Sequence, residues 1–116
     1  MTQLTAEVNM AGYVIHHYKI TDRSKIDELT QLSIPINEKY GAKVIVGSPT
    51  KALEGEMSTH MVILEFESFE AAETFYYSPE NQELTKLRRS ITEGWTTIIP
   101  GDSETQKIVD SGYFSK

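Results

Sequence analysis

Few residues in this chain are equipped for chemistry. His16 and His17 stand side by side in the segment GYVIHHYKI, Glu65 interrupts the apolar run HMVILEFE, Glu54 lies in Glu54-Gly55-Glu56, and Arg88 belongs to Lys86-Leu87-Arg88-Arg89. Histidine changes charge near neutral pH, so His17 is a candidate general base. A carboxylate inside an apolar strand must be paired or hold its proton. Glu65 is therefore a candidate base or orienting group, and equally a structural partner for Arg88, Lys19 or Lys43. Glu54 is either part of a solvated turn or aimed over a cavity mouth, since loops on a rigid scaffold often carry function. Catalytic candidates are thus His17, Glu54 and Glu65. Arg88 shares a helical face with Leu84 and Ile91 and can hold a carboxylate, from a ligand or from Glu65. Tyr76 and Trp95 join it as candidate ligand-binding residues, against the plainer expectation that aromatic rings fill a core.

Other chemistries are absent from the sequence. There is no cysteine, which removes disulfides and thiolate nucleophiles. Adjacent histidines in a strand point to opposite sheet faces and cannot share a metal. A site of His17, His60 and Glu65 lacks any ligand-spacing motif, so no metal is expected. No phosphate-binding glycine loop or nucleophile elbow occurs. The formal net charge of −6 opposes binding to a nucleic-acid backbone. No apolar run reaches bilayer length, and residues 1–10 contain Glu7 without a basic, then apolar, leader pattern. A cytoplasmic protein without nucleic-acid or membrane partners is expected.

These residues need elements to position them. Residues 12–20 are aromatic and β-branched and suit a first strand. Asp22 offers a helix cap. Ile26, Leu29, Leu32, Ile36 and Tyr40 then recur at helical spacing. Pro35 falls inside that pattern, which predicts a break near Ser33-Ile34, and Gly41 predicts the stop. Residues 42–47 form a second strand, and 48–59 a long connection with a short strand at Lys51–Glu54. Residues 60–67 form a third strand with Val62, Leu64 and Phe66 on one face and Met61 and Ile63 on the other. Ser68 caps one helix, Ser78-Pro79 begins another, Gly94 ends it, and residues 95–100 form the last strand.

The order β-α-β-β-α-β is the ferredoxin-like α+β unit, an antiparallel sheet with helices on one face. The other face would carry Met61 and Ile63, too apolar to stay wet, so a homodimer forming an α/β barrel is expected. The organisation is a lead segment at 1–11, one domain at 12–101 and a tail at 102–116. Ile108-Val109 and Tyr113-Phe114 would make that tail a dimer arm.

The chain resembles a small family of uncharacterised domains in the dimeric α/β-barrel superfamily. The resemblance rests on Tyr13-Val14-Ile15 with His17, Thr21-Asp22, Lys39-Tyr40-Gly41, Leu53-Glu54-Gly55, Val62-Ile63-Leu64-Glu65-Phe66 with Ser68, Ala72, Phe75-Tyr76, Ser78-Pro79-Glu80 and Leu87-Arg88. It spans about Gly12 to Pro100. Two departures stand out: Gly47-Ser48-Pro49 where the family has Arg followed by two Gly, and Asn81 where it has Tyr. The resemblance implies the fold; the wider superfamily includes cofactor-independent monooxygenases, haem-binding enzymes and small-molecule isomerases.

Three functional expectations follow. One is a cofactor-independent enzyme acting on a small hydrophobic or aromatic carboxylate, with His17 paired to Glu65 or Glu54 and Arg88 holding the anionic group. The alternative is a non-catalytic ligand-binding or regulatory dimer using the same cavity. The third is haem held by a histidine. Catalysis predicts His17 dry and beside a carboxylate in a cavity; plain binding predicts a cavity without such a pair.

Overall fold

The structure is a computed structural model, and it describes residues 11–101 together with 109, 110, 112 and 115. The lead segment up to residue 10 and most of the expected tail arm, Ile108, Tyr113 and Phe114 included, lie outside the described residues. The elements are β1 (Gly12–Ile20), α1 (Ile26–Tyr40), β2 (Lys43–Pro49), β3 (His60–Phe66), α2 (Phe69–Tyr76), α3 (Pro79–Ile91) and β4 (Thr92–Pro100). The strands form one antiparallel sheet in the order β2-β3-β1-β4. This is the expected ferredoxin-like α+β arrangement.

Strand parity divides the sheet into two surfaces. Val14, Leu64 and Phe66 are buried and pack with Ala72 and Phe75 of α2, so even-numbered positions of β1 and β3 face the helices. Val14 pairs with Leu64 and Ile98, which carries the same face onto β4. Each large apolar side chain taken from water there contributes roughly 1.5–3 kcal/mol. Tyr13, Ile15, His17, Met61, Ile63 and Trp95 occupy the opposite face, which no described helix covers.

Local chemistry explains the helix ends. Ser68 Oγ accepts from Ala71 N at 3.0 Å to start α2, and Ser78 Oγ accepts from Asn81 N at 3.1 Å to start α3, with Pro79 at its first position. Gly41 adopts φ 74° and closes α1.

Three expectations fail. Helix α1 runs unbroken through Pro35. Proline removes one amide donor, and the carbonyl left without it belongs to the exposed Gln31, where water can replace the bond. No strand forms over 51–54; the connection is held from its ends, with Thr50 N donating to Thr59 O at 2.8 Å. Gly94 lies within β4 and not at a helix end. A Cβ there would sit 2.0 Å from the His17 carbonyl oxygen, so the close approach of β4 to β1 requires glycine.

Helix α1 also buries none of its residues, and Leu32, expected on its inner face, is 48% exposed. The helix is secured at its C-terminal end instead. Ile36 and Tyr40 pack against the core, the Tyr40 hydroxyl donates to Glu80 Oε1 at 2.8 Å, and Lys39 Nζ contacts Glu80 Oε2. Its N-terminal half stands off the sheet.

Candidate functional site

That stand-off leaves space on the helix side of the sheet. One cavity of about 540 Å³ is bordered by His16 and Tyr18 of β1, Tyr76 of α2, Arg88 and Arg89 of α3, and Thr96 of β4. A second of about 230 Å³ lies between α1, α3 and the sheet. His16, Tyr18 and Arg88 border both. Strand period two places His16 and Tyr18 on the same face as Val14. Arg88 reaches them from the last turn of α3, where the helix C-terminus favours cations.

The electrostatics centre on Arg88. Its guanidinium is half-buried and donates to Thr85 Oγ1 at 3.3 Å. Among the described residues no carboxylate pairs with it. Burial lowers its pKa, with neighbouring Arg89 adding to the shift and Tyr76 and Tyr18 opposing it. Arginine nonetheless stays charged at neutral pH. Burial, reinforced by the charge on Arg88, lowers the His16 pKa to about 3, so its imidazole is neutral. His16 Nδ1 and Thr96 Oγ1 lie 2.7 Å apart and share a hydrogen bond. That leaves Nε2 as the nitrogen available to a ligand. Burial raises the Tyr18 pKa, against the opposing effect of Arg88. The cavity thus combines two guanidinium groups, Arg88 and Arg89, that pair with no carboxylate among the described residues, with the Glu93 carboxylate, a neutral imidazole and aromatic walls.

The sequence-nominated residues divide between the two faces. Arg88 and Tyr76 meet in the larger cavity. Trp95 borders it at the β4 edge, but its ring packs edge-on against His17 at 5.3 Å. His17 itself lies on the uncovered face and is 6% exposed. Its Nε2 is 3.1 Å from the Ser58 carbonyl oxygen, so it donates there and holds down the 50–59 connection. Thr50 Oγ1 donates to the same carbonyl at 2.5 Å. Glu65 also lies on that face, accepting from the Tyr13 hydroxyl at 3.2 Å. The suggested Glu65–Arg88 pair is therefore absent: the sheet separates them. Glu54 is exposed in the connection and borders none of these cavities. Among the described residues no three His, Asp or Glu side chains cluster in a way that could hold a metal. No helix among them is long and apolar enough to cross a membrane.

Tyr18 and Thr96 were not singled out from sequence; His16 was named beside His17 without a choice of which faces the helices, and Arg89 only as the neighbour of Arg88. The signal for His16 and Tyr18 is parity with Val14, but Tyr13 and Ile15 are as apolar as Val14, so alternation alone does not say which face is inner.

A family model for a domain of unknown function, DUF1330, matches residues 11–102. The chain belongs to the DUF1330 family. In this DUF1330 chain the match spans every element from β1 to β4. No curated protein sequence matches it. Among solved structures, a protein of unknown function from Rhodopseudomonas palustris is similar at TM-score 0.64 and 17% identity, over 90% of this chain and 95% of that one. A protein from Arabidopsis thaliana matches at TM-score 0.60 and 17% identity, over 83% and 96%. SnoaB, a cofactor-independent oxygenase from Streptomyces nogalater, matches at TM-score 0.54 and 5% identity, over 83% and 97%. These likenesses show that the DUF1330 chain shares its fold with these proteins.

Proposed function

We propose that the helix-side cavity binds a small hydrophobic or aromatic carboxylate. The observation that carries this reading is Arg88: a half-buried guanidinium at a 540 Å³ cavity with no carboxylate partner among the described residues. A buried charge without a counter-ion is costly, and a ligand carboxylate supplies one through paired, charge-assisted hydrogen bonds. Tyr18 and Tyr76 add aromatic walls beside the guanidinium.

A recognition role accords best with the absence of a histidine–carboxylate pair in the cavity. A second reading is favoured by one observation, the neutral His16 oriented through Nδ1 by Thr96. In that reading a bound carboxylate offsets the field of Arg88, raises the proton affinity of His16, and lets Nε2 accept a proton from the ligand without any cofactor. SnoaB, described as a cofactor-independent oxygenase, is a precedent for chemistry on this fold, not for a reaction here.

The assembly we propose is a homodimer joined through the uncovered sheet face, where Ile15, Val46, Ile63, Trp95 and Ile99 would otherwise meet water.

Calorimetric titration with benzoate tests the cavity reading. The wild-type protein is expected to bind it, and Arg88→Met to bind about ten- to hundredfold more weakly, the loss of hydrogen bonds to a charged group. Equal binding by both proteins would refute the assignment.

A further inference from the structure

We infer that the smaller cavity is a chain-length-selecting chamber for the apolar body of the ligand, so that the preferred ligands are monocarboxylates with an alkyl or aryl group of about eight carbons. The inference rests on the reading of Arg88 as the carboxylate anchor and extends it to the other end of the ligand.

The two cavities are not independent. His16, Tyr18 and Arg88 border both, so a group held by the guanidinium has its next atoms at the entrance to the smaller space. The walls of that space are apolar: Leu29 of α1, Val44 of β2, Val62 and Leu64 of β3, Phe75 of α2 and Leu84 of α3. Four further polar residues border it: Asn37 adds a side-chain amide on the α1 wall, and the other three spend donors on backbone carbonyls. Thr30 Oγ1 donates to Ile26 O at 2.9 Å, Ser33 Oγ to Thr30 O at 2.7 Å, and Asn81 Nδ2 to Tyr76 O at 2.9 Å. Apart from the Asn37 amide, what remains for an occupant is mainly hydrocarbon. A dry cavity of about 150 Å³ accepts a benzene molecule, so the 230 Å³ here accommodates about eight or nine carbons by proportion.

The fold explains why the space exists. Helix α1 is tethered through Tyr40 and Lys39 to Glu80, while Leu29 and Ser33, a turn and more earlier, stand over Val62 and Leu64 without burying any helix residue. A ligand chain placed there would be covered by α1 on one side and the sheet on the other, replacing contacts that the helix does not make for itself. Polar head and apolar body thus have separate compartments with a shared boundary at His16, Tyr18 and Arg88. The same division disfavours dicarboxylates, whose second charge would enter a mainly apolar compartment.

The test is a calorimetric series of linear carboxylates from propanoate to dodecanoate. With wild-type protein the affinity should rise about fourfold per methylene, the factor for a buried CH₂ at ~0.8 kcal/mol, and stop rising near eight or nine carbons. Ser33→Leu, which projects into the chamber from α1, should move the break to shorter chains and leave propanoate unchanged. Val62→Ala, which widens the chamber, should move it to longer chains. A featureless profile, or a break unmoved by both variants, with short carboxylates still bound, would overturn the chamber while leaving the Arg88 anchor standing. Octan-1-ol separates the two ideas from the other side. Binding of octanol with no binding of octanoate refutes the anchor and supports the chamber, and binding of neither refutes both.

Discussion

Arg88 and His16 are best understood together, because one guanidinium sets the charge that the other must tolerate. Removing Arg88 from a half-buried site where no carboxylate faces it should cost little stability; had it been paired with Glu65, its loss would have left a buried partner at a cost of about 3–5 kcal/mol. Chemical denaturation of Arg88→Met should therefore show a change within about 1 kcal/mol, and a much larger loss would reveal a partner for the guanidinium. His16 gives a pH signature. Its pKa is lowered in the folded chain from the ordinary 6.5 to about 3, so between those values the unfolded chain binds the extra proton. The contribution is fully present above pH 6.5 and is lost as pH falls towards 3, so stability should rise with pH across that window. Glu80, whose pKa Lys39 lowers to about 2 with help from Tyr40, acts with the same sign but only below its ordinary 4.5. The interval from pH 6.5 to 4.5 isolates the histidine. Urea midpoints of His16→Gln should be flatter there than those of wild type, and parallel curves would show that His16 titrates normally.

At the scale of elements, much was legible in the sequence. The caps at Ser68 and Ser78, the stop at Gly41 and the two-faced pattern of β3 depend on neighbours a few residues away, and local rules reach that far. The course of α1 did not follow, because whether Pro35 breaks a helix depends on whether the bereft carbonyl meets water, a tertiary fact. The identity of the inner face of β1 was equally hidden, since Tyr13, Val14 and Ile15 are all apolar. Arg88 and Tyr76 were each legible as candidates, but they lie on different helices and only the tertiary fold makes them neighbours; His16 and Thr96 are 80 positions apart, and only strand pairing brings them together. The split between faces yields a prediction for the 50–59 connection. His17→Ala removes the donor to the Ser58 carbonyl and the ring against Trp95, and should destabilise the protein by about 1–3 kcal/mol with faster hydrogen exchange in that connection. Benzoate affinity should be unaffected, because the sheet lies between His17 and Arg88. A loss of benzoate binding in His17→Ala would place the ligand on the other face.

For the whole molecule, the proposed dimer rests on the sheet face that no described helix covers. Val44, Ile45 and Val46 are all exposed on the edge strand β2, and a bulge between Val44 and Val46 turns Val46 toward the face that carries Ile63. Trp95 is 51% exposed on the same face. An apolar expanse continuing across four strands is the surface a second copy would cover. Sedimentation should show a dimer at micromolar concentration, and Ile63→Glu should convert it to a monomer by placing a charge in the centre of the interface. A wild-type monomer would remove the barrel from the account. The most direct test of the central claim is a crystal structure of the protein with octanoate. The carboxylate is expected within hydrogen-bonding distance of the Arg88 guanidinium, beside His16, with the alkyl chain between α1 and the sheet. Octanoate seated against His17 and Trp95 on the opposite face, with nothing at Arg88, would contradict it.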